Sequence, residues 1–107
     1  MNIQDQISLV KKEVINHFNQ NAKHTGIASP DLFANEQNHI IEIGTSILCT
    51  KWKIGYEGGS FVQSFVNNDL MGAISRADST TYKGFKFFAS LMYNVGMPSS
   101  LYNLNNN

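Results

Sequence analysis

His39-Ile40-Ile41-Glu42-Ile43-Gly44-Thr45-Ser46-Ile47-Leu48-Cys49-Thr50-Lys51-Trp52-Lys53 is the stretch whose reading decides the fold. Ile40, Ile41, Ile43, Ile47 and Thr50 are β-branched, Leu48 and Trp52 add apolar bulk, and Gly44-Thr45-Ser46 divides the two runs as a turn would. Local preference therefore predicts a β-hairpin. A two-stranded hairpin is marginal alone in water, so it must pack on helices or join strands from another subunit. Cys49 falls within the second strand, where a small apolar side chain suits burial, and no histidine base is paired with it by sequence.

On the N-terminal side, Ile3, Ile7, Val10, Val14 and Phe18 recur every three or four residues and predict an amphipathic helix. Lys11, Lys12 and Glu13 fall mostly on its other, solvated face. A polar run closed by Gly26 follows, and Ser29-Pro30-Asp31 supplies a cap, an N1 proline and an acid for one helical turn near Leu32-Phe33.

On the C-terminal side, Gly55-Tyr56-Glu57-Gly58-Gly59 is a glycine-rich turn, and Ser60 is placed to cap a helix through Phe61, Val62, Phe65 and Val66. Asn67-Asn68-Asp69 either kinks this helix or divides it before Leu70, Ala73, Ile74 and Ala77 resume the spacing. Ser79 or Thr80 caps another helix, with Tyr82, Phe85, Phe88, Ala89 and Met92 as its apolar stripe and Asn94, Gly96 and Pro98 as its end. The expected fold is α+β: an N-terminal helix, a β-hairpin and a C-terminal antiparallel helical pair. We expect one domain over 1–107, with 1–57 as helix plus hairpin, 58–98 as the helical pair and 99–107 as a polar tail.

Eight basic residues balance eight acidic ones, so the chain lacks the positive excess of duplex binders, and no DNA partner is expected. Charged residues make up 15% of the chain against 42% hydrophobic, a proportion that suggests apolar surface covered by a partner or a second copy, hence a homo-oligomer. No stretch reads as a signal peptide or a membrane span, so a cytoplasmic location without membrane partner is expected.

His17, His24 and His39 lack the Cys or acid companions of a metal site, and no metal or cofactor is expected. Asp69 and Asp78 sit where capping acids sit, which we favour over paired catalytic carboxylates. No nucleophile and base converge in the sequence, so catalytic residues are expected to be absent and the chain is read as a non-enzyme. Lys53, Tyr56 and Gly58-Gly59-Ser60 could hold a phosphate through glycine-exposed amides and a helix start, although a plain turn accounts for the same residues. Arg76, the single arginine, either grips phosphate or pairs with Asp78 or Asp69.

Residues 58–98 carry Gly58-Gly59-Ser60-Phe61, Asn68-Asp69-Leu70-Met71-Gly72-Ala73, Arg76-Ala77-Asp78 and Leu91-Met92-Tyr93-Asn94 before Pro98. In these motifs the chain resembles small phage-encoded helical proteins, among them the anti-CBASS and anti-Thoeris sponges that sequester cyclic nucleotide signals. The resemblance implies a non-enzymatic, oligomeric protein of the host cell cytoplasm with a phosphate-gripping pocket at Gly58, Gly59, Ser60 and Arg76. Lys53 and Tyr56 join that ligand-binding set through their charge, stacking potential and nearness in sequence. The expected function is sequestration of a nucleotide signal; the alternative is a protein–protein interaction module or inhibitor using the apolar helical pair.

Overall fold

A computed structural model describes residues 2–25 and 34–101, with the side chains of 22–25 and 34 left out of the description. The expected turn near Leu32-Phe33 and the polar tail from 102 onward lie outside the described residues. The elements in order are α1 (Ile3–Thr25), α2 (Ala34–Trp52), α3 (Ser60–Val66), α4 (Leu70–Arg76), α5 (Ser79–Lys83) and α6 (Phe85–Asn94), and residues 99–101 are again helical. Among the described residues there is no strand.

The α+β expectation is therefore overturned: the supposed hairpin is the single helix α2. Its buried residues Ile40, Gly44, Ile47 and Leu48 follow helical spacing, so they form one stripe against α1 and α6. Gly44 is a contact point of that stripe, since a Cβ there would lie 2.8 Å from Leu91 Cδ1 and 3.2 Å from Val14 Cγ1. Thr45 is satisfied inside the helix because its hydroxyl donates to the Ile41 carbonyl at 2.8 Å. Burial of the stripe outweighs β-branched propensity, which differs from helix preference by only a few tenths of a kcal/mol per residue. Cys49 is buried as expected, but on a helix.

α1 is capped by Asn2, whose Oδ1 accepts from the Asp5 amide, and contributes Val10, Val14 and Phe18 to the core. α6 adds Phe87, Phe88 and Leu91 between α1 and α2, and Leu101 is wholly buried with them.

Between residues 60 and 94 the chain forms four short helices where a pair was expected, because each break has its own stop signal. After α2, Lys53 takes φ 59°, its amide donates to Thr50 O and that of Ile54 to Cys49 O, a left-handed helix end sealed by buried Ile54. The same construction ends α3: Asn68 takes φ 61°, with Asn68 N–H to Phe65 O and Asp69 N–H to Ser64 O. Asp69 then caps α4 through Gly72 N–H, and Asp78 caps α5 through Thr81 N–H.

Candidate functional site

Four of the six expected ligand residues lie along two adjoining polar recesses. Lys53 and the 95%-exposed Tyr56 border one of about 460 Å³, together with Glu57, Gln63 and Asn67. Ser60 and Arg76 border a shallower one of about 260 Å³, with Ser64 and Asp69. Gln63 and Asn67 belong to both, so the recesses form one strip across α3.

The glycines contribute differently from what a phosphate cradle needs. The Gly58 amide donates to Thr50 Oγ1 at 2.9 Å, and its carbonyl accepts from Gln63 Nε2 at 2.7 Å. A Cβ at Gly58 would crowd Ser46 Oγ and Val62, so its close approach is to α2 and α3. Gly59 is the N-cap residue of α3 and has open space beside it, while Ser60 is the first helical residue and not the cap. α3 is a seven-residue helix.

Arg76 ends α4 in solvent. Its Nη1 lies 3.4 Å from Ser64 Oγ, and among the described residues no carboxylate comes within 4.0 Å of it. The expected alternative of pairing with Asp78 or Asp69 is thus not realised as an ion pair. Asp78 faces His39 at 3.8 Å, and its pKa is lowered first by the Thr81 amide it accepts from. Asp69 Oδ2 and Arg76 Nη1 both drape over Gly72, where a Cβ would collide with each.

A further recess lies within the region expected to form an apolar helical pair, and its walls were not read from the sequence. Phe65, Val66, Leu70, Phe85, Ala89 and Met92 line an apolar groove of about 420 Å³ between α3, the start of α4 and α6, rimmed by Asn68 and Tyr93. Its floor is stiff: Phe61, Phe65, Phe85 and Phe88 form a ring cluster with centroids 5.6–6.0 Å apart. Beside it α4 buries only Ala73 and leaves Leu70 58%, Met71 77% and Ile74 41% exposed, while Tyr93 is 90% exposed. The signal available was the shortness of α4: a two-turn helix carrying Leu70, Met71, Ala73 and Ile74 cannot turn all of them inward.

Two hydroxyl–imidazole contacts lie elsewhere. Ser90 Oγ is 2.7 Å from His17 Nε2, and Asn21 Nδ2 donates to His17 Nδ1 at 3.1 Å. That leaves Nε2 as the protonated nitrogen, so the imidazole donates to Ser90, the reverse of a nucleophile–base pair. Thr81 Oγ1 stands 3.4 Å from His39 Nε2 and is buried between α2 and α5. Burial holds the His17 pKa below 6.5 and raises that of Cys49 to about 11, keeping the thiol protonated and unreactive at neutral pH.

No helix among the described residues is long and apolar enough to cross a membrane. Comparison with known protein families, with characterised proteins and with solved structures finds no match to this chain.

Proposed function

We propose that this chain is a non-enzymatic binding protein whose working surface is the apolar groove between α3, α4 and α6, and that the groove takes the apolar face of a polypeptide. The carrying observation is a preformed groove floored by a stiff phenylalanine cluster, with Leu70 and Tyr93 exposed along it and Met71 exposed on the same helix as Leu70. The largest apolar patch on a soluble protein is often its functional one. A groove lined by alternate helical turns suits an apolar helix face.

The test is a photo-cross-linking residue at position 93 in living cells. The reading expects a protein adduct there and none from the same residue at exposed Lys86. Equal labelling at both positions, or no polypeptide adduct at 93, would remove it.

A second reading, sequestration of a phosphate-bearing nucleotide signal in a phage anti-defence setting, has its own support. Lys53 and Arg76, neither held by a carboxylate among the described residues, flank a strip of amides and hydroxyls, and Tyr56 offers an exposed ring for stacking. Glu57 and Asp69 on the same strip work against an anion, which is why we rank it second. Mass spectrometry of small molecules released by heating the purified protein should then find an intact nucleotide, and Arg76→Ala should weaken its binding about tenfold or more, since a charge-assisted arginine–phosphate contact contributes roughly 1.5–3 kcal/mol. A stable Arg76→Ala protein that binds fully would refute the assignment.

A further inference from the structure

We propose that the occupant of the apolar groove is helix α4 of a second copy of this chain, the two copies exchanging Met71 across a two-fold axis. The inference rests on reading the groove as the working surface, and it names the partner.

A two-fold contact uses the same patch on both chains, so the patch must contain a projection and the recess that receives it. Here α4 supplies both: Met71 stands 77% exposed on it, one residue on from Leu70, which lines the groove. Met71 has an unbranched, polarisable side chain suited to an aromatic floor, which Phe65 and Phe85 provide. Tyr93 then closes over the contact with its ring inward and its hydroxyl at the rim.

The exposed apolar area covers more than half of what a specific contact needs. The exposed parts of Leu70, Met71, Ile74 and Tyr93 amount to on the order of 500 Å² per chain, against about 800 Å² per partner in a standard specific interface. The walls of the groove add to this, so the patch supplies the apolar centre of a dimer contact without further rearrangement.

Charge points the same way. None of the residues lining the groove is charged, and the charged residues of α4 stand at its two ends, Asp69 capping it and Arg76 in its last turn. Foreign partners are commonly steered and selected by complementary charge, and this face has none to offer them. Two copies of an uncharged face, on a chain of formal net charge zero, meet without like-charge repulsion and select each other by shape.

Sedimentation and light scattering on the full chain test the proposal. The wild type should be a dimer at about 0.1 mM. Met71→Asp, which removes the projection, and Ala89→Leu, which fills the recess, should each raise the dimer Kd by at least ~100-fold with the helical circular dichroism unchanged. A wild-type monomer at that concentration, or a dimer that survives either substitution, overturns it; a variant that loses its helical signal is replaced by Leu70→Ser or Ala89→Met, judged by the same criterion. The two readings separate cleanly: a monomer that cross-links a foreign protein from position 93 refutes self-docking alone, and a monomer without any polypeptide adduct refutes both.

Discussion

Lys53 turns the chain out of α2 in the left-handed region, φ 59°, where a side chain crowds its own carbonyl. Only the paired hydrogen bonds to Thr50 O and Cys49 O and the burial of Ile54 hold it there. Lys53→Gly should therefore stabilise the fold by about 0.5–1 kcal/mol, after the larger entropy of an unfolded glycine is subtracted from the relieved strain. Urea denaturation would show it as a higher midpoint at unchanged slope. Gly44 is the opposite case. Helix propensity favours any larger residue but proline there, yet the space already belongs to Leu91, Val14 and Phe87. Gly44→Val should cost about 1–3 kcal/mol through overpacking, and a neutral result would mean that α2 does not approach α6 this closely.

At the level of elements, what could be read from the sequence was whatever local chemistry decides. α1 follows from its apolar spacing, and the break at Asn67-Asn68-Asp69 from residues that tolerate left-handed backbone and cap helices. α2 was misread because Gly44-Thr45-Ser46 has turn chemistry locally, while its helical role depends on α1 and α6, far away in sequence. The polar strip was partly legible, since Lys53, Tyr56 and Ser60 are near in sequence and border it, whereas Arg76 reaches it through the packing of α4 on α3. The groove was not, because its walls come from three helices whose juxtaposition no local pattern encodes. The α1–α6 joint carries a pH dependence. His17 lies against Phe87 and between Ser90 and Asn21, and burial lowers its pKa from 6.5, so the unfolded chain binds its proton more readily. Its contribution to stability is full above about pH 6.5 and is lost as the pH falls through the lower folded value. Between about pH 7 and pH 5 the urea midpoint should drop for the wild type and stay flatter for His17→Gln; parallel curves would show that His17 is not the group responsible.

For the whole molecule, the neutral overall charge and the separation of apolar groove from polar strip give the two modes of binding opposite responses to salt. The Debye length contracts from about 14 Å to about 4 Å between roughly 50 mM and 500 mM salt, which weakens any contact of Lys53 and Arg76 with phosphate. An apolar contact gains nothing from long-range attraction and so loses nothing to screening, and sulfate strengthens it by exclusion from the exposed surface. Dimerisation through the groove should accordingly change by less than about twofold in Kd over that range of sodium chloride and tighten in sodium sulfate, whereas nucleotide binding on the strip should weaken severalfold. The two surfaces also respond differently to mutation: Met71→Asp should abolish the first response and leave the second, and Arg76→Ala the reverse, because α4 places Met71 at its first turn and Arg76 at its last. Sedimentation and calorimetry across the two salts decide it. A dimer that dissociates as sodium chloride rises would mean that charged groups outside the groove hold the copies together, and the apolar face would lose its claim to the interface.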